Sequence, residues 1–455
     1  MTNEQKTTLF ETTSIPVAVA KLGIPTIIGS IVSVLYNLAD TYFVGAINDP
    51  IESAAVTLGA PLILAFNAVT NLFGVGCSSY MSRALGKKDI DSFKKTSSFG
   101  FYCALFLSVL YSVISFVLRP QILQLVGSDA STNSATAAYI FWTIGIGAAP
   151  SILHVVLANM IRSEGESLHA SIGTMLGCLL NVALDPIFIM PWGLGMKASG
   201  AGCATCISNT VSCLYFFIFL IVKRGKTYVS INPKLFGFDK TIVKEVFSVG
   251  IPASIQNLLN VTGMTILNNF AAAFGTDAVA AIGITHKIYM VPMYFSMGLG
   301  QGVLPLVGYN YSSGNAKRMK ETILFTGKVA IGLAVLVTAI LYFNASAIVE
   351  LFMKNEGIVF YGNQFLKAFC LGVPFLCIDF LGVAIFQATG MGKYSFIFAV
   401  LRKVVLEIPA MYILNKIWPL YGLCYSQLCA EVVLAVAAIF VIKHIIQQTE
   451  KGQSK

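Results

Sequence analysis

The sequence predicts an all-α membrane protein with twelve transmembrane helices in two parallel-repeat six-helix bundles. Three observations support this fold class. Hydrophobic residues make up 56% of the 455 and charged residues 11%, and mean hydropathy is +0.77, outside the balance of soluble domains. Apolar stretches of about 20 residues or more recur along the whole chain. The second half of the chain also repeats motifs of the first half.

Twelve apolar stretches are long enough, as helices, to cross a hydrocarbon core about 30 Å thick. Several exceed the spanning minimum, which indicates tilted or bent helices. A transmembrane barrel would show alternating segments of about ten residues, so these continuously apolar runs favour helices. The predicted spans cover residues 14–46, 50–82, 97–118, 134–163, 168–190, 198–222, 241–274, 277–310, 323–343, 358–389, 393–415 and 420–446.

Positive charges concentrate in the segments 83–95, 223–240 and 317–320, whereas the opposite loops hold single cations such as Arg119. Under the positive-inside rule, we expect both termini to be cytoplasmic and the protein to lie in the cell inner (plasma) membrane. Residues 1–13 lack the apolar core of a cleavable signal peptide, so we expect the first span to direct insertion. Membrane topology therefore accounts for the net charge of +9, and no nucleic-acid partner is expected.

The ten cysteines lie within apolar runs, where they are expected to be small core residues. Cys203 and Cys206 have the spacing of a metal or redox pair. No second pair and no nearby histidine accompanies them, so we expect no metal there.

The internal repeat is carried by short glycine and proline motifs. Gly-Val-Gly at 74–76 reappears as Gly-Leu-Gly at 298–300, and Leu58-Gly59 reappears as Ile282-Gly283, both 224 residues later. Leu-Gly-Ile-Pro at 22–25 matches Val-Gly-Ile-Pro at 249–252. The two halves are therefore interpreted as duplicates of six helices each.

Because six is an even number, both halves start on the same membrane face and form parallel repeats. The predicted organisation is an N-terminal lobe at 1–222, a cytoplasmic linker at 223–240 and a C-terminal lobe at 241–455. Two such bundles leave a central cleft, which is typical of secondary carriers. No phosphate-binding glycine loop with lysine is present, so ion gradients are expected to supply the energy.

Polar residues inside apolar spans are functional candidates because a membrane charge costs about 2.5–3.5 kcal/mol on insertion scales. Asp40 lies in the first span with Tyr36 and Asn37 close by. Helix spacing places two further pairs on shared faces, in the fifth and sixth spans, and Tyr139 begins the fourth span. Those pairs are Asn181 with Asp185, and Thr205 with Asn209.

We expect these side chains to converge on one interior pocket. Two carboxylates in a poorly hydrated pocket cannot both ionise cheaply, so they would share a proton or hold a monovalent cation. A sodium ion would be coordinated by the side-chain oxygens of Asp40, Asn181, Asp185 and Thr205. The alternative for Asp40 is a place at the aqueous end of its helix, since Asp49 follows soon after.

The spans of the second half carry charges of both signs, whose role the sequence leaves open: Lys287, Asp379, Arg402, Lys403, Glu407 and Glu431. Lys403 and Glu407 are spaced to neutralise each other. Lys287 and Asp379 are candidates for a pair across the bundle or for the cleft lining. Pro25 deletes a backbone hydrogen bond in the first span and is a candidate hinge, with a static kink as the alternative.

These residues give the chain a resemblance to the multidrug and toxic compound extrusion (MATE) family over nearly its full length. The motifs are Gly23–Pro25, Asn37–Thr41, Gly74–Gly76 with its second copy, Asn181–Pro186 and Gly200–Thr205. The resemblance implies a V-shaped pair of lobes. It also implies an N-lobe site of Asp40, Tyr139, Asn181, Asp185 and Thr205, with Tyr36 beside it and Pro25 as the bending point of the first helix.

The chain looks closer to the branch with an N-lobe acidic site than to the norfloxacin-exporter branch. The latter has an additional acid in its seventh helix, where this chain has Gln256, Asn257 and Asn260 and no carboxylate.

The expected function is secondary antiport that exports cationic amphiphilic compounds in exchange for protons or sodium ions, without a cofactor. Aromatic rings and flexible thioethers would suit such substrates. The alternative is a flippase for lipid-linked saccharides or other amphiphilic lipids, which would favour a cationic cleft. An enzyme is not expected, since the four histidines are scattered. We expect a monomer surrounded by membrane lipid.

Overall fold

The computed structural model describes residues 1–453, and its regular structure in that range is entirely helical. The α-helices are α1 (Asn3–Glu11), α2 (Ile15–Ala46), α3 (Pro50–Thr70), α4 (Gly76–Gly86), α5 (Ile90–Val117), α6 (Arg119–Leu125), α7 (Asn133–Ile140), α8 (Ala148–Ser163), α9 (Ser167–Ile189), α10 (Lys197–Val222), α11 (Lys240–Ala272), α12 (Thr276–Ser312), α13 (Ala316–Phe343), α14 (Ala345–Phe352), α15 (Glu356–Ala388), α16 (Gly392–Val400), α17 (Ile408–Ile417) and α18 (Tyr421–Gln453). Three π-helical segments, Asn71–Val75, Phe141–Ile146 and Leu401–Glu407, and a 3₁₀ turn, Pro233–Leu235, complete the regular structure.

Each half of the chain contains six long helical segments in the predicted order. In the first half, the π-helical segment Asn71–Val75 joins α3 to α4, and α7 continues through Phe141–Ile146 into α8 with a bend of 46°. In the second half, Leu401–Glu407 joins α16 to α17. The short helices α6 and α14 follow the third long segment of their halves, so the duplication extends to the connections.

Nine helices of the described residues are long and apolar enough to cross a membrane, or ten if the bent pair is one span. Two of the twelve predicted spans fall outside this set. α11 is helical but carries the amides Gln256, Asn257 and Asn260. The segment from α16 to α17 is interrupted by the π-helical turn with Arg402 and Glu407, which lowers its apolarity.

The chain forms two compact units, each of which contains a segment from the other half. Unit 1 consists of Met1–Thr12 and Ile31–Ser254, and unit 2 of Thr13–Ser30 and the residues from Ile255 onwards. The first part of α2 therefore packs within unit 2, and the first part of α11 within unit 1. These units follow packing, whereas the predicted lobes at 1–222 and 241–455 follow the internal repeat.

The repeated glycines mark the places where these segments pack closely. In unit 1, a methyl group at Gly250 would lie 2.1 Å from the Leu72 carbonyl oxygen, and one at Gly76 would lie 2.5 Å from the Val246 carbonyl oxygen. In unit 2, a methyl group at Gly302 would lie 2.8 Å from the Gly23 Cα. The glycines allow backbone to approach backbone, as in other helix contacts in membranes.

We expect Gly250→Ala to destabilise the protein, because its methyl group would meet backbone atoms that cannot rotate away. Overpacking of this kind costs about 1–3 kcal/mol. The measurement is the thermal unfolding midpoint in detergent. Gly332→Ala is the control, since that glycine lies in α13 and a methyl group there would have no neighbouring atom within 4 Å. Equal midpoints for the two variants would contradict the expected close packing.

The N-terminal helix α1 is anchored in unit 1 by a buried charge. Lys6 is 1% exposed, and its Nζ lies 3.0 Å from Glu164 Oε2 and donates a hydrogen bond to the Lys226 carbonyl at 2.8 Å. Glu164 also accepts hydrogen bonds from the Thr227 hydroxyl and the Tyr228 N–H. Burial raises the pKa of Glu164, and the Lys6 charge opposes that rise. These contacts bind the connection after α10 to the end of α8.

Candidate functional site

The candidate site lies in unit 1, on four helices that each contribute polar side chains to the interior. α2 carries Tyr36 and Asp40, and α7 carries Tyr139. α9 carries Asn181 and Asp185, and α10 carries Thr205. All of these residues belong to the part of unit 1 between Ile31 and Ser254.

Asp185 is the buried acid of the site. It is 0% exposed, in the last third of α9 and directly before Pro186. Asp40 is partly exposed, and the two carboxylates lie within electrostatic range of each other. Burying an ionised carboxylate costs several kcal/mol unless it is paired, so Asp185 requires a proton or a partner.

Asn181 connects Asp185 to α10. With its amide oxygen turned to α10, Asn181 accepts hydrogen bonds from the Thr205 N–H at 3.1 Å and the Thr205 hydroxyl at 3.2 Å. Its amide nitrogen then donates to Asp185 Oδ2 at 2.8 Å. This amide orientation satisfies donors and acceptors on both sides, which is the criterion by which amides are assigned.

Two tyrosines complete the arrangement. The side chain of Tyr36 lies near Thr205 and in electrostatic range of Asp40 and Asp185. Tyr139 is 7% exposed and lies in range of the same two acids. Each hydroxyl can donate a hydrogen bond to a carboxylate or accept one from a protonated acid.

The donor set is composed of oxygens, which suits a proton or a hard monovalent cation. Nowhere in residues 1–453 do three His, Cys, Asp or Glu side chains group closely enough to hold a metal ion. A sodium ion at the site would therefore need the amide and hydroxyl oxygens of Asn181 and Thr205 beside the two carboxylates. Cys203 and Cys206 are free thiols in α10.

Three predicted residues are placed differently from the acid pair. Asn209 donates to the Ser151 hydroxyl at 2.8 Å, and the exposed Asn37 donates to the Ser33 carbonyl of its own helix at 2.7 Å. Pro25 lies inside the continuous helix α2, in the segment that packs within unit 2.

Unit 2 holds a separate group of buried charges, and here the suggested pair of Lys287 with Asp379 is wrong. Asp379 Oδ2 instead lies 3.5 Å from Arg402 Nη1, and Arg402 also hydrogen-bonds with Glu431. The guanidinium of Arg402 can reach two carboxylates at once because of its forked donors. Lys403 and Glu407 form the pair that their spacing predicts, 2.7 Å apart.

Several contacts of the two units have no counterpart in the sequence prediction. Ser151 receives the Asn209 amide, and Gln427 donates to the Tyr289 hydroxyl at 2.7 Å. Gly59 lies against the ring of Tyr139. Only Gly59 had a sequence signal, since it belongs to the repeated Leu58-Gly59 motif.

Comparison with known proteins agrees with this architecture. The MatE family profile matches residues 25–187 and 252–413. The chain is 35% identical over 436 residues to the multidrug export protein MepA of Staphylococcus haemolyticus strain JCSC1435, covering 95% of this chain and 94% of that protein. It is 33% identical over 435 residues to MepA of Staphylococcus aureus strain MRSA252, with the same coverage. A crystal structure of MATE in complex with MaL6 superposes with a TM-score of 0.92 at 26% identity, covering 98% of this chain and 99% of that chain.

The chain is an all-helical membrane protein with two halves of six long helical segments each, and one half contains a pair of acids. This arrangement is typical of a polytopic transport protein and not of an enzyme. The family profile covers most of both halves. The chain therefore belongs to the MatE family of transporters.

Proposed function

We propose that the protein is a secondary multidrug efflux antiporter that exports cationic amphiphilic compounds in exchange for protons or sodium ions. Relatives that the chain matches over 95% of its length are named multidrug export proteins. The observation that carries the coupling mechanism is the fully buried Asp185, bound by Asn181 and within range of Asp40. This observation supports the proposal that the protein belongs to the family branch with an N-lobe acidic site.

The proposed mechanism rests on competition for one negative charge. When the pocket holds a proton or a sodium ion, its carboxylates are neutralised and an organic cation loses its electrostatic attraction. When that ion leaves, the charge returns and a cationic substrate is retained again. Coupling follows because the ion and the drug cannot both satisfy the same carboxylates.

The remaining parts of the proposal concern topology and movement. The loop charges support cytoplasmic termini under the positive-inside rule. The proposal also takes the protein to be a monomer in the plasma membrane. Pro25 is proposed as the hinge of α2, since its missing N–H leaves one helical carbonyl without a donor.

The flippase alternative receives no support from Arg402 and Lys403, two of the buried cations of unit 2. Recognition of a pyrophosphate would call for unneutralised cations, whereas Arg402 contacts Asp379 and Glu431, and Lys403 contacts Glu407. We therefore retain drug export as the proposed activity.

The test is efflux of ethidium from reconstituted vesicles, with proton and sodium gradients imposed separately. Under the proposal, one of these gradients drives dye out of the vesicles and identifies the coupling ion. Absence of dye movement under both gradients would contradict antiport.

In the same assay we expect Asp40→Asn to lower ion-driven efflux strongly while leaving the fold intact, because Asp40 is only partly buried. The matched control is Asp91→Asn, an exposed acid on α5 that pairs with Lys95 and should export at the normal rate. Full activity of Asp40→Asn would place Asp40 at an aqueous helix end without a role in coupling.

A further inference from the structure

Gly59 on α3 lies directly against the ring of Tyr139. A methyl group at Gly59 would be 2.6 Å from Tyr139 Cε1 and 2.8 Å from Cδ1, closer than carbon atoms approach in folded proteins. The residue is buried within an uninterrupted helix, so its backbone conformation does not require glycine. Glycine inside a helix costs about 0.5–1 kcal/mol relative to alanine, and at Gly59 the space that it leaves is filled by the tyrosine ring.

The backbone of Tyr139 is held in place by contacts with Thr143 and Gly202. Its carbonyl accepts a hydrogen bond from the Thr143 hydroxyl at 2.8 Å, and a methyl group at Gly202 would lie 3.1 Å from that carbonyl. The ring itself packs in an apolar cluster with Val44 and Ile189. A side chain at position 59 must therefore displace the ring, because the backbone of Tyr139 is held on its other side.

The corresponding glycine of the second half has no such neighbour. Gly283 occupies the place of Gly59 in the internal repeat, and a methyl group at Gly283 would have no neighbouring atom within 4 Å. The duplicated fold therefore does not by itself require glycine at this position. The close approach is particular to the half that contains Asp40 and Asp185.

We propose that Gly59 is a positioning residue of the acidic pocket. Because Gly59 has no side chain, the Tyr139 ring can lie against α3, in the position where it is in range of the two acids. Tyr139 lies in electrostatic range of both Asp40 and Asp185. A shift of its ring alters the surroundings in which those acids bind and release an ion. This inference rests on the proposed antiport, since it concerns how the same pocket is held in shape.

The test compares four variants in the vesicle assay with the driving gradient held constant and the pH varied: Gly59→Ala, Gly283→Ala, Tyr139→Phe and Tyr139→Ala. Relieving the overlap moves the ring by about 1 Å, and misplacement on that scale can lower a rate by tenfold or more. We expect Gly59→Ala to reduce ethidium efflux by about tenfold and to shift its pH profile in the direction seen for Tyr139→Phe. Gly283→Ala should match the unmodified protein in both rate and profile.

The double variant Gly59→Ala, Tyr139→Ala separates positioning from general damage. Without the ring there is nothing for the new methyl group to displace, so we expect the pH profile of Tyr139→Ala to be unchanged by Gly59→Ala. Thermal unfolding in detergent is measured in parallel. If Gly59→Ala alone unfolds, the double variant should recover the unfolding midpoint of Tyr139→Ala.

Failure of this inference is distinguishable from failure of the proposed function. If the unmodified protein exports no dye under either gradient, antiport itself fails. If the unmodified protein exports dye and Gly59→Ala has the same rate and pH profile, Gly59 is not a positioning residue. A loss that persists undiminished in the Tyr139→Ala background would overturn the inference as well.

Discussion

Asp185→Asn is expected to reduce ion-driven dye efflux to the level of protein-free vesicles while the protein remains folded. The amide has nearly the shape of the carboxylate and can still accept the hydrogen bond that Asn181 donates at 2.8 Å. It cannot carry a negative charge, so it neither attracts an organic cation nor binds and releases a proton. Because Asp185 is 0% exposed, exchange of a buried acid for a neutral amide should not lower stability.

The measurement is ethidium efflux from reconstituted vesicles, together with the unfolding midpoint in detergent. Asp185→Glu is the matched comparison, since it keeps a titratable group at this position and should keep measurable pH-dependent efflux. Undiminished gradient-driven efflux by Asp185→Asn would remove Asp185 from the mechanism.

The long helices could be predicted from hydropathy because the bilayer requires continuous apolar segments with satisfied backbone groups. The internal repeat also predicted which glycines correspond in the two halves. It could not predict that residues 13–30 pack in one unit and residues 31–46 of the same helix in the other. Duplication identifies equivalent residues, whereas contacts depend on which bundle each helix face meets.

The candidate site was predictable where helix spacing determines geometry. The i and i+4 spacing of Asn181 and Asp185 places both on one face. The Asn181 amide lies 2.8 Å from Asp185 Oδ2, which is a hydrogen bond in the amide orientation assigned above. The same spacing fails for Asn209, whose amide reaches Ser151 on α8. Spacing specifies the face of a helix but not the rotamer or the neighbouring helix that a side chain meets.

The charged partner of Asp379 in unit 2 was beyond the reach of sequence reasoning. From the sequence alone, Asp379 could pair with either Lys287 or Arg402, since both cations lie in apolar segments of the same half. The helix contacts decide between them, and Arg402 is the cation placed beside Asp379. Lys6 presents a similar case, because a lysine near a chain terminus ordinarily faces water, whereas this one is buried against Glu164.

The buried position of Arg402 leads to the largest expected loss of stability. Arg402 is 3% exposed, contacts Asp379 and Glu431, and lies over the Phe380 ring at 4.8 Å from its centroid. Arg402→Met keeps most of the side-chain volume and removes the charge, which leaves two buried carboxylates facing each other. Breaking a buried ion pair by removing one partner costs about 3–5 kcal/mol, and we expect a destabilisation of that size in detergent at neutral pH.

The comparison variants identify the unpaired acids as the cause of that loss. Arg119→Met removes an exposed arginine from α6 and should change stability by less than about 1 kcal/mol. Adding Glu431→Gln to Arg402→Met should restore part of the lost stability, because only one unpaired carboxylate then remains. If Arg402→Met unfolds at the same temperature as Arg119→Met, the Arg402 contacts do not hold unit 2 together. The charges of that unit would then need an explanation other than mutual neutralisation.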